Sequence, residues 1–200
     1  DEAIAERNRL KADGYDTMIY ELDAYSTVGL LPDPVTSALL KRDEINLADT
    51  VIHELLHNTI WTSTSDVFSE SMATFVGRTG AIEFFKAERG PDAEIITEAR
   101  NSYEDVDKFN AFLFQLRTDL EAVYQNPNLS SEQKIAQREP IFEAARTQVK
   151  DDLMPQLHEP DRYSTYSTFP FNNAFMLVSG RYNTSLDVFQ QVYENTGCNW

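Results

Sequence analysis

The sequence predicts an α+β fold dominated by helices, with a small sheet beside one buried helix. Three observations carry that expectation. Apolar residues recur with a helical period along most of the chain, one short stretch alternates between two faces, and Gly, Pro and Ser/Thr clusters cut the chain into segments of helical length. The chain of 200 residues suits a single domain, residues 1–200, with enough length to bury a real core.

Residues Asp1 to Lys11 read as a short amphipathic helix that stops at the Asp13-Gly14 turn signal. From Thr17 to Tyr25 the pattern alternates, with Met18, Tyr20, Leu22 and Ala24 on one side and Ile19, Glu21, Asp23 and Tyr25 on the other. That is the signature of a half-buried strand at a sheet edge. Ser26 to Pro34 holds one Gly and two Pro, so a loop should lead there to a helix capped near Thr36 or Ser37. From Leu47 to Trp61 the period is helical, and Val51, Ile52, Leu55, Leu56 and Ile60 cover most of the circumference, which predicts a helix inside the protein.

The cluster Thr62 to Ser65 breaks that helix, and Asp66 or Ser65 can cap the next, which should run to about Lys86 with Phe68, Met72, Phe75 and Val76 as its core face. The turn is short, so the two helices should be packing neighbours. Arg89-Gly90-Pro91 ends the second helix. Two long segments, Asp92 to Gln125 and Ser130 to Met154, flank Asn126-Pro127-Asn128 and predict a helical hairpin interrupted at Pro140. No reactive cluster lies on this arm, residues 91–155, so it reads as structural. The loop Pro155 to Pro170 returns the chain to a final helical pair, Asn172 to Arg181 and Ser185 to Asn195.

Composition narrows the function. Acidic residues outnumber basic ones, 33 Asp and Glu against 17 Lys and Arg, for a formal charge of −16. Such a field repels phosphate backbones and argues against a nucleic-acid partner. No apolar run approaches the roughly 20 residues of a spanning helix, so no membrane span is expected. The single cysteine, Cys198, leaves no intrachain disulfide and no Cys-rich zinc site, so a metal here must rest on His and carboxylate. The start at Asp1, with neither an initiator Met nor an apolar leader, suggests a processed segment whose targeting signal lay upstream.

The chemistry concentrates in His53-Glu54-Leu55-Leu56-His57, an HExxH on the buried helix. Residues four apart share a helical face, so both imidazoles can reach one ion. Thr50, His53, Glu54, His57 and Trp61 form the polar stripe of an otherwise apolar helix, and two His and a Glu buried without partners would be destabilising. A divalent cation removes that penalty. A catalytic zinc, one per chain, takes three protein ligands and keeps one place for water. Glu70 lies one turn into the neighbouring helix and is the favoured third ligand over Asp66, which sits where a cap is expected, and over His158, a lone His in a Pro-flanked loop. With an open site, Glu54 would take the proton of the attacking water and pass it to the leaving amine of a peptide. Tyr182 and Tyr25 are the candidate donors to the oxyanion.

Ala24-Tyr25-Ser26-Thr27-Val28-Gly29, Asp33-Pro34, the HExxH, Phe68-Ser69-Glu70-Ser71-Met72-Ala73-Thr74-Phe75-Val76, and Asn172-Asn173-Ala174 before Tyr182 together resemble the bacterial putative aminopeptidase family of gluzincin-type metallopeptidases. The resemblance spans most of the chain, although family members usually extend further toward the N-terminus. It implies a thermolysin-like zincin core, zinc as cofactor, Glu70 as third ligand and a location in the Gram-negative cell envelope. An exopeptidase needs a carboxylate for the substrate ammonium, and Glu21 and Asp23 could serve. One departure stands out. Where many gluzincins place an Asp four residues after the ligand Glu to orient a metal-bound His, this chain has Thr74. The competing expectation is a metal-binding but non-catalytic scaffold that uses the helical hairpin as its working surface.

Overall fold

The computed structural model describes residues 2–20, 34–179 and 186–197, and every regular element among them is helical. The expected α+β fold, with a thermolysin-like core built on a small sheet, is overturned by this. Thr17 to Tyr20 run without a ladder, and Glu21 to Tyr25 lie outside the described residues. Side chains hold the segment instead. Arg138 forks the Asp16 carboxylate at 2.8 and 3.2 Å, Asp16 accepts the Asn173 backbone N–H at 3.1 Å, and Asn172 Nδ2 donates to the Thr17 carbonyl at 3.2 Å. Met18 meanwhile packs on a helical core. Of the alternating residues described, Met18 alone packs on that core while Ile19 and Tyr20 are exposed, and the Thr17 carbonyl is met by a side chain and not by a second strand.

The chain divides into two compact units, one of Asp1–Ile19 and Asn101–Gly180, the other of Tyr20–Arg100 and Arg181–Trp200. In the first, α1 (Glu2–Ala12) buries no side chain and ends at Gly14, whose φ of 89° only a residue without Cβ adopts freely. The core forms where Phe109, Leu113, Leu116 and Leu120 recur along α4 (Glu94–Tyr124) and meet Phe142 and Ala145 of α5 (Ser131–Gln148). A capping box between Ser130 and Gln133 starts α5, which runs straight through Pro140, so no interruption occurs there. The missing N–H forfeits one hydrogen bond, and Phe142, 1% exposed, anchors the next turn in the core.

The helix then widens into a π turn, Val149–Leu153, and tightens into 3-10 turns at Met154–Gln156 and Pro160–Ser167, so the expected loop is largely helical turn. Asp105, 1% exposed, pins it by accepting the backbone N–H groups of His158 and Glu159 at 2.9 and 2.8 Å. The unit closes with α6 (Asn173–Ser179), whose first turn is capped by Asn172 through its bond from Phe175 N at 3.0 Å.

The second unit is built on a helix pair. A 3-10 turn, Leu39–Lys41, follows Thr36, whose hydroxyl accepts from Leu39 N at 3.0 Å. Asp43 then caps α2 (Glu44–Thr59) through Asn46 N at 2.9 Å, and Ser65 caps α3 (Asp66–Arg89) through Phe68 N at 3.1 Å. The two approach closely because α3 presents bare Cα atoms to α2. A Cβ at Gly77 would fall 2.2 Å from Asp49 Oδ1, and one at Gly80 would fall 3.1 Å from Ile52. On its other flank α3 carries Phe68 and Phe75 against Phe189 and Tyr193 of α7 (Leu186–Asn195).

Contrary to expectation, α2 is not enclosed. Val51, Leu55 and Ile60 are exposed, and the Val51 side lines an open apolar groove of about 310 Å³ with Leu47, Ala48, Ile52, Phe84 and Phe85. The apolar residues wind round the helix, but among the described residues α3 covers one side of it. No helix among the described residues is long and apolar enough to cross a membrane.

Candidate metal centre

Four-residue spacing brings His53 and His57 onto one face of α2, with their rings edge-on at 4.9 Å and their Nε2 atoms 3.2 Å apart. From α3, Glu70 Oε2 reaches to 3.3 Å from His53 Nε2 and 3.7 Å from His57 Nε2. The register of that approach is set in the turn. Ser69, fully buried, accepts the Thr62 N–H at 3.2 Å and donates to the Thr62 carbonyl at 3.3 Å, tying the first turn of α3 to the end of α2. His57 is 5% exposed and packs edge-on against Trp61 at 5.0 Å.

These three side chains fit a divalent metal. Tetrahedral coordination with bonds of roughly 2.0–2.1 Å would place ligand atoms about 3.3 Å apart. The observed separations of 3.2, 3.3 and 3.7 Å bracket that value. A proton can join only one pair of these atoms at a time, whereas a single cation joins all three. His57 Nδ1 is buried without a hydrogen-bond partner among the described residues. A cation ligated by Nε2 would fix the His57 proton on Nδ1.

The electrostatics agree with the geometry. The imidazoles of His53 and then His57 hold the Glu70 carboxyl down at about 2, so it is an anion ready to ligate. Burial pushes the neighbouring Asp49 carboxyl up to about 6, against the opposing pull of Arg78, His53 and Arg42.

Of the residues singled out by sequence, His53, His57 and Glu70 come together, and Glu54 is half-buried next to His53 on α2. Asp66 is exposed and outside the cluster, and the cap falls to Ser65. His158 lies in the other unit and pairs with Glu104 at 3.0 Å. The Asn172-Asn173 pair is structural, since Asn173 Oδ1 accepts from Tyr124 OH at 2.7 Å and Asn172 caps α6. Tyr182, Tyr25, Glu21 and Asp23 lie outside the described residues. Asp49 escaped the sequence reading. Its position four residues before His53, on the same helical face, was the available signal.

A family model described as Putative aminopeptidase matches residues 1–200. No curated protein and no solved structure matches the chain.

Proposed function

The chain belongs to the Putative aminopeptidase family, and from that premise we propose a zinc-dependent peptidase whose single ion rests on His53, His57 and Glu70. The observation that supports this reading is the convergence of three ligand atoms at tetrahedral spacing. Two imidazoles and one carboxylate suit zinc and leave a fourth place for water. Bound there, zinc would polarise a water and the scissile carbonyl.

The remaining work falls to the chain. Glu54, one residue from His53, accepts the proton of the attacking water and delivers it to the departing nitrogen, which then leaves as an amine. Glu70 and the two imidazoles present only lone pairs to the ion, and the single negative charge among them leaves it electrophilic. Tyr182, with Tyr25 as the other candidate, would donate to the oxyanion. The substrate on this reading is a peptide with a free amino terminus.

Glu54→Gln decides the mechanism. The variant should keep one zinc per chain and lose about 100- to 10,000-fold in peptide hydrolysis. Full activity in that variant, or a protein purified without chelators that carries no zinc, would overturn the reading. Acetylating the substrate amino terminus should abolish cleavage, and equal cleavage of blocked and free peptides would replace exopeptidase with endopeptidase. A wild-type protein that binds zinc yet cleaves nothing in a varied peptide library would point to a non-catalytic role.

A further inference from the structure

Asp49 lies one helical turn before His53 on α2. Helical side chains lean toward the N-terminus, so the His53 ring overhangs the turn that holds Asp49. The Asp49 carboxylate is half-buried, and no hydrogen bond to it is found among the described residues. Gly77 of α3 closes the far side. A Cβ at that position would fall 2.2 Å from Asp49 Oδ1, 2.9 Å from the Asp49 carbonyl oxygen and 3.3 Å from His53 Cβ. The neighbouring helix is thus bare at the one point where a side chain would evict the carboxylate.

Burial of that carboxylate outweighs the attraction of Arg78, His53 and Arg42, so the helix seam holds it at a cost. What adjoins it is a ring whose outward nitrogen must be set one way. Zinc-ligating imidazoles depend on a partner that fixes the tautomer and raises ligand basicity. Resting on the zinc reading above, we propose that Asp49 is the positioning residue for His53, seated in the space Gly77 leaves open. Its charge favours the tautomer with the proton on Nδ1, frees the Nε2 lone pair, and stabilises the positive charge the ring takes on when Nε2 donates to a cation.

The test compares zinc affinity by chelator competition, the absorption spectrum of the cobalt-loaded protein, and thermal unfolding of the metal-free chain. Asp49→Asn keeps the shape and removes the charge. It should bind zinc about 10- to 100-fold more weakly and shift the cobalt spectrum. The metal-free variant should unfold at the wild-type temperature or above it, because a charge that burial disfavours more than Arg78, His53 and Arg42 favour it has gone. A structural role predicts the opposite pairing, with unchanged affinity and a lower unfolding temperature. Gly77→Ala keeps the carboxylate but takes its seat, and should weaken zinc in the same direction. The double variant should be no weaker than the weaker single one.

Should Asp49→Asn fail to fold, Asp49→Ser, smaller and uncharged, makes the same comparison without the added Cβ that at residue 77 would also press on His53. Zinc must then weaken and the cobalt spectrum shift. Asp49→Asn binding zinc as tightly as wild type, with an unshifted cobalt spectrum, overturns this inference and leaves the zinc centre standing. A wild-type chain with no zinc affinity overturns both.

Discussion

Glu70 shows how neighbours change the character of one side chain. Two imidazoles hold its carboxyl at about 2, so it keeps a full negative charge throughout the range in which peptidases work. Glu70→Gln preserves the shape and removes that charge, and should weaken zinc on the order of 100-fold or more by equilibrium dialysis. Retained wild-type affinity would exclude Glu70 as a ligand. A second titration lies in the other unit, where burial and then the Asp105 charge push the Tyr163 hydroxyl up to about 12 from an ordinary 10.0. The folded pKa is raised, so the stabilisation is intact below pH 10 and is lost as pH rises toward 12. Because Tyr163 is half-buried, the loss should be on the order of 1 kcal/mol. Tyr163→Phe should flatten that fall in alkaline unfolding followed by circular dichroism, and an unchanged slope would remove Tyr163 as its source. At this scale the sequence displayed the His pair and Glu70, whose spacings are local. It concealed Asp49, because a carboxylate on a helix reads as a solubilising group until the bare Gly77 opposite it is seen.

Among the elements, the α2–α3 pair depends on its turn. Ser69→Ala removes both bonds to Thr62 and leaves a backbone N–H unmet, so it should cost about 1–3 kcal/mol in urea unfolding, with zinc affinity falling as Glu70 loses its register. A variant of wild-type stability and affinity would show that the turn is held otherwise. Helical periods made α2, α3, α4 and α5 readable, and their caps at Asp43, Ser65 and Ser130 are the residue types that satisfy free N–H groups. The strand expectation failed at Thr17 to Tyr20 because alternation supplies no partner for the backbone, and Tyr20, on the same side as the packed Met18, is exposed. Pro140 misled for a related reason. Its local penalty is real, but burial of Phe142 two residues later outweighs it.

For the whole molecule, the proposed ligands all fall in the unit of Tyr20–Arg100 and Arg181–Trp200. Zinc at about 100 times its dissociation constant should stabilise the folded state that binds it by about 2.7 kcal/mol. Hydrogen exchange should show that gain as added protection in α2 and α3, and zinc-dependent protection absent from both would contradict the site. In the other unit, Phe142→Ala should cost about 3–5 kcal/mol, because a buried aromatic leaves a cavity its neighbours cannot fill. An unfolding free energy within error of wild type would mean that the core packs elsewhere. The two-unit division was not legible, since α4 carries one unbroken helical period across the point where it falls.

The three proposed ligands lie between His53 and Glu70, on two helices joined by one turn. Closing so short a loop costs little chain entropy, and helical hairpins of this kind assemble within microseconds to milliseconds. The residence time of an ion held there would then be governed by how often that hairpin breathes, a local opening more frequent than global unfolding. Demetallation in the presence of a strong chelator should accordingly follow the breathing rate of the pair and saturate as chelator concentration rises.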